Sequence, residues 1–166
     1  PSVIDDWGTP QKGALLALGV RGAPLALTWP DEAVERDVLE LATQHVKLLA
    51  ALHQAGFSGL QPGFEELRWD STHKRLMILG WEWVRENDDS QHEDLQAAAT
   101  LWVELLTGAA PPVFPPLAPE TKGPAWQRVS LGTRTLLSSI LLDAQATTTA
   151  AATHLQLEAI LRNWSR

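Results

Sequence analysis

Leu52-His53-Gln54-Ala55-Gly56-Phe57-Ser58-Gly59-Leu60-Gln61-Pro62-Gly63-Phe64 lies between two stretches of different periodicity. Upstream, Val34, Val38, Leu41, Leu48 and Leu52 recur near a 3.6-residue spacing, which predicts one long amphipathic helix. Pro30-Asp31-Glu32 supplies its start, an N-cap acid followed by an acidic first turn that suits the helix dipole. Gly56 supplies its stop. Downstream, Glu66-Leu67-Arg68-Trp69 and Leu76-Met77-Ile78-Leu79 flank the polar turn Asp70-Ser71-Thr72-His73, the pattern of a β-hairpin. The quoted segment itself holds three glycines, a proline and no carboxylate or lysine.

Farther along, Asp94-Leu95-Gln96-Ala97-Ala98-Ala99-Thr100-Leu101-Trp102-Val103-Glu104-Leu105-Leu106-Thr107-Gly108 carries alanine and leucine on nearly all sides. That composition predicts a buried helix, with Asp94 able to cap it. Ala109 to Pro124 then holds six of the eleven prolines, a density no helix can continue through. It reads as a loop, and its Pro-Pro-x-x-Pro-Pro run also fits a polyproline ligand for an aromatic groove.

Taken together, these segments resemble the C-terminal lobe of protein kinases. The opening stretch and Leu76-Met77-Ile78-Leu79-Gly80-Trp81 are similar to the pattern "Leu-His-x-x-Gly … His-Arg-Asp-Leu-Lys-Pro-x-Asn … Leu-x-Asp-Phe-Gly". Aligned on Pro62, Gly59 falls at the catalytic aspartate of that family, Gln61 at the catalytic-loop lysine and Phe64 at the metal-binding asparagine. The second piece aligns in two registers, which put either Leu79 or Gly80 where a metal-binding aspartate belongs; Trp81 follows in the same loop. The segment between Gly56 and Gly59 is about two residues shorter than the family loop. Asp94 to Gly108 is the most specific match, similar to a buried C-lobe helix whose aspartate holds the backbone of the catalytic loop. A structural role for Asp94 is thereby implied. Ser130 to Leu142 and Thr147 to Trp164 resemble the last helices of the lobe, without the arginine usual near Thr147.

The resemblance covers about Pro30 to Trp164. It implies a mainly α fold, a kinase C-lobe-like helical domain with one or two short β-hairpins. Residues 30–166 would form the helical body and residues 1–29 an N-terminal segment of the same compact domain. A hairpin of Ala14 to Val20 with Leu25 to Trp29 around Arg21-Gly22 would resemble the last two strands of the N-lobe.

What a kinase requires is missing. There is no Gly-x-Gly-x-x-Gly, and none of Lys12, Lys47, Lys74 and Lys122 lies in a Val-Ala-x-Lys strand. Phosphoryl transfer depends on placed metal and charge, and glycine and leucine supply neither. The expected protein is therefore catalytically dead, with no metal and no cofactor. Its expected role is a pseudokinase-like interaction or scaffold module in the cytoplasm. The partner would be another protein or a second copy, docked on the face that an N-lobe covers in kinases. Trp29, Phe57, Trp81 and Trp83 are the residues expected there; with Phe64 they either fill the old cleft or present an apolar patch. The alternative is an unorthodox nucleotide- or metal-responsive enzyme domain built from Glu65, Glu66, His92, Glu93 and Asp94.

Composition narrows the classes further. A chain of 166 residues is long enough for one domain with a sizeable core. The absence of cysteine excludes disulfides, thiolate catalysis and cysteine zinc sites. A net charge of -7 with scattered Lys and Arg argues against nucleic-acid binding. No apolar run reaches the roughly 18 residues of a membrane span. The acidic run Glu86 to Asp94 reads as a solvated loop. Of the eight tryptophans, Trp102, Trp126 and Trp164 sit in helical patterns and are expected in the core. His45 and His53, eight apart on one helix, have no matched partner by spacing.

Overall fold

The structure, a computed structural model, describes residues 3–9, 12–17, 23–24, 34–70, 72–79, 84–86, 90–108, 123–143 and 146–164. It is mainly helical, with short antiparallel strands. In chain order come β1 (Val3–Thr9), β2 (Lys12–Ala17), β3 (Ala23–Pro24), α1 (Glu35–Gln54), β4 (Phe57–Ser58), β5 (Leu67–Asp70), β6 (Arg75–Ile78) and β7 (Arg85–Glu86). Four helices follow: α2 (Gln91–Thr107), α3 (Gly123–Arg128), α4 (Leu131–Leu141) and α5 (Ala150–Trp164).

The long first helix forms where periodicity put it, but it begins later than Asp31-Glu32 suggests. Val34 is extended at φ -66° and ψ 124°, so the first helical turn is Glu35 to Asp37; Pro30 to Ala33 lie outside the described residues. The reason is tertiary. Glu35 accepts from Ser130 N–H (2.9 Å) and Ser130 Oγ (2.7 Å), so the first-turn acid also binds the start of α4. Ser130 in turn caps α4, its Oγ accepting from Thr133 N–H at 3.4 Å. Val38, Leu39, Leu41, Ala42, Val46 and Leu49 form the buried stripe of α1. The helix stops at Ala55, and Gly56 follows at φ 81°, a left-handed conformation that costs glycine nothing.

The hairpin of β5 and β6 pairs Leu67 with Ile78, Trp69 with Leu76 and Asp70 with Arg75. Leu79 N–H extends the ladder to Glu66 O at 2.8 Å. Asp70 closes the turn, its Oδ1 accepting from the N–H of Thr72 and of His73, with His73 Nδ1 2.7 Å from its Oδ2. The His73 side chain and backbone bonds hold the Asp70 carboxyl below its ordinary value. Gln44 clasps this hairpin to α1: its Nε2 donates to Lys74 O (2.8 Å) and its Oε1 accepts from Leu76 N–H (3.0 Å). That is a backbone-like pair of bonds from a side chain, satisfying an edge that water would otherwise have to solvate.

At the N-terminus a hairpin exists, but its strands differ from the expected pair. Lys12–Ala17 pairs with Val3–Thr9, from Thr9 opposite Lys12 to Val3 opposite Ala17. A two-residue connection closes this ladder, shorter than any closure around Arg21-Gly22, and short loops close at less entropic cost. Ala23–Pro24 pairs instead with β5. Leu25 to Trp29 lie outside the described residues.

The core is built by α1, α2, α4 and α5. α2 is buried on nearly all sides through Leu95, Ala98, Ala99, Leu101, Trp102, Val103 and Leu105. Its N-cap position is Ser90, which corrects the expected cap at Asp94; that carboxylate is turned to other partners. Trp102 and Trp126 are among the largest fully buried side chains, whereas Trp164 is 40% exposed, contrary to expectation. Its helix buries only Ala150, Thr153 and Leu157 fully, so the apolar stripe outruns the neighbours that would cover its last turn. α5 also starts three residues after Thr147. Asp143 Oδ2 accepts from Thr147 Oγ1 and Thr148 N–H, and Thr149 Oγ1 accepts from Ala152 N–H, as an N-cap does. Most of the proline-rich stretch lies outside the described residues, but Gly123 and Pro124 open α3, where a first-turn proline costs no hydrogen bond. Among the described residues, no helix is long and apolar enough to cross a membrane.

Candidate functional site

The loop from Gly56 to Phe64 is held from below by the first turn of α2. Asp94, with no solvent exposure, spends its carboxylate on three donors from that region. Gly59 N–H donates to Oδ2 at 2.8 Å and Gln61 Nε2 to Oδ1 at 3.2 Å. His53 Nε2 lies 3.2 Å from Oδ2, a donor in the tautomer that carries the proton there. Ser90 Oγ donates to Ser58 Oγ (2.7 Å), and Gln91 Nε2 donates to His53 O (3.3 Å). A buried carboxylate is tolerated only when paired and hydrogen-bonded, and here the loop supplies that pairing.

Gly59 adopts φ 92°, which an L side chain rarely takes. Gln61 is exposed at its backbone end and reaches inward with its amide. Phe64 is half-buried and packs against the core. Leu79 is half-buried at the end of the hairpin ladder. Phe57 is 39% exposed on β4, whose partner strand is Arg85–Glu86. Gly80, Trp81, Trp83 and Trp29 lie outside the described residues.

The acidic set is not drawn into one site. Glu66 Oε2 accepts from Gly63 N–H at 2.8 Å within its own turn, Glu65 and Glu93 are exposed, and Asp94 is committed to the loop. Among the described residues, no group of three or more His, Cys, Asp or Glu side chains could hold a metal ion.

Two features were out of reach of sequence spacing. His53 and Asp94 stand 41 positions apart, and nothing local marks them as partners. His45 is wholly buried, edge-on to the Trp102 ring with centroids 5.9 Å apart, and neither ring nitrogen has a hydrogen-bond partner. Burial pushes its imidazole from the ordinary 6.5 down to about 4, and the charge of Asp94 opposes that shift in part. Low polarity around an ionisable ring disfavours its charged form.

Comparison with known proteins returns no matching family model and no matching curated sequence.

Proposed function

We propose that the chain is a non-catalytic interaction module organised like the C-lobe of a protein kinase. The observation that carries this reading is the Asp94 carboxylate, buried and fully engaged in holding Gly59, Gln61 and His53. In the family that the sequence resembles, the corresponding aspartate holds the catalytic loop, so the scaffold of such a loop is present here without its chemistry. Gly59 stands at the place of the catalytic aspartate with φ 92°, a conformation that favours glycine. Phe64 and Leu79, at the former metal-ligand places, contribute hydrocarbon to the core edge.

The partner in this proposal is another protein or a second copy of the chain, in the cytoplasm. Phe57 supports it: a large aromatic beside the loop remains over one-third exposed, and aromatic side chains dominate interaction hot spots. Trp81 and Trp83 precede the strand that pairs with Phe57 and join it in the proposed contact.

The test is co-purification from the native host, repeated with Phe57→Glu and with Trp81→Ala combined with Trp83→Glu. Loss of the same partner in both folded variants is expected; retention in both rejects the surface. Calorimetry with ATP and magnesium examines the enzymatic alternative. A magnesium-dependent binding signal, or phosphoryl transfer abolished by one substitution in the chain, would overturn the non-catalytic reading.

A further inference from the structure

Away from the loop, α1, the first turn of α2 and the start of α5 enclose a groove of about 820 Å³. Its wall brings together Lys47, His53, His92 and His154, with no carboxylate side chain among the lining residues. That selection stands out in a chain with 20 acidic residues against 13 Lys and Arg. The volume falls in the range of small-molecule sites, roughly 300–1,000 Å³.

Each cationic or donor group arrives from a different place in the chain. Lys47 is exposed and projects from α1, one turn before Ala51 on the same wall. His154 comes from α5, half-buried, with Glu158 Oε1 3.7 Å from its Nε2. His53 lies behind them with its side chain only 9% exposed, anchored through Nε2 to Asp94. His92 is half-buried, and both of its ring nitrogens are shielded from water without a hydrogen-bond partner. Leaving a polar group so unsatisfied costs free energy, which a ligand oxygen would recover. Gln91 and His92 belong to the first turn of α2, and Ala150 and Ala151 to that of α5. Both positive helix ends therefore open on the same space, a favourable setting for an anion. The acidic groups facing it are Asp94, already bonded to His53, and Glu158, beside His154. Ala50, Ala51, Ala146, Ala150 and Ala151 give the remainder of the wall an apolar character suited to a short hydrocarbon body.

We propose that this groove binds a small phosphate monoester, its phosphate held by Lys47, His92 and His154 and its organic part laid against the alanine wall. The site is independent of the kinase-like reading and lies outside the loop that carries it.

Phenyl phosphate, inorganic phosphate and benzoate are the probes, titrated into the whole chain at about pH 6.5, where imidazole side chains change charge. The expected order is phenyl phosphate tightest, with a roughly tenfold loss of affinity in Lys47→Ala and in His154→Ala and retention in Lys47→Arg. Both positions have solvent access, and circular dichroism confirms that each variant is folded. Benzoate equal to or tighter than phenyl phosphate would overturn the phosphate assignment. Absence of saturable phenyl phosphate binding up to about 10 mM, or equal affinity in both alanine variants, would overturn the site.

Discussion

His45 offers the sharpest quantitative test of the packing. In the unfolded chain its imidazole takes a proton near 6.5, whereas in the folded chain burial delays protonation until about pH 4. Below 6.5 the unfolded state therefore binds more protons, and folding stability falls with pH. The contribution is intact above the unfolded value and is lost as pH drops toward the folded one. A shift of this size corresponds to about 2 kcal/mol lost at pH 5 and about 3 kcal/mol by pH 4. The assay is urea unfolding at pH 7, 6 and 5, followed by the fluorescence of buried Trp102 and Trp126. For a slope of about 2 kcal/mol per molar urea, the midpoint should move down by about 1 M between pH 7 and pH 5. His45→Leu removes the titrating ring and two unpartnered nitrogens while nearly conserving volume. Its stability should be about 2 kcal/mol less sensitive over the same interval, and at pH 7 it should equal or exceed that of the parent. Parallel pH profiles for the two proteins would refute the argument, since a ring that titrates alike folded and unfolded cannot lie in the packing described.

Two further outcomes follow from the loop. Asp94→Ala leaves Gly59 N–H, Gln61 and His53 without their shared acceptor and should cost about 3–5 kcal/mol, with Asp94→Asn costing less because one oxygen remains; a loss under about 1 kcal/mol in urea unfolding would contradict the buried anchor. Gly59→Ala should destabilise by about 1–2 kcal/mol because φ is 92°. Gly63→Ala should be neutral or slightly stabilising, its added Cβ meeting nothing closer than Glu66 Oε2 at 3.9 Å. Equal effects at the two glycines, read from the same melts, would remove the backbone argument.

Much of the architecture is legible locally because its causes are local. The apolar recurrence from Val38 to Leu52 makes α1, and the polar turn at Asp70 makes the β5–β6 hairpin. The apolar surround of Leu95 to Leu105 makes α2 a buried helix. Each depends on side chains within a few turns or residues of one another, so period and composition determine them. Boundaries shifted wherever a long-range partner intervened. Glu35 binds Ser130 across 95 positions and belongs to the first turn after an extended Val34; Asp94 binds the loop in place of capping its own helix. Trp164 continues an apolar stripe for which the fold provides no cover.

By itself the sequence determined a mainly helical chain, the helix and hairpin flanking one glycine-rich loop, and the lack of acids in that loop. Only the tertiary structure decided that Asp94 anchors the loop through His53, that His45 sits unpartnered against Trp102, and that Lys47, His92 and His154 share one groove. The physical reason is that hydrogen bonds and burial act through space. Residues 41 to 107 positions apart in the chain become neighbours only once α1, α2 and α5 have packed, and no periodicity along the chain records that meeting.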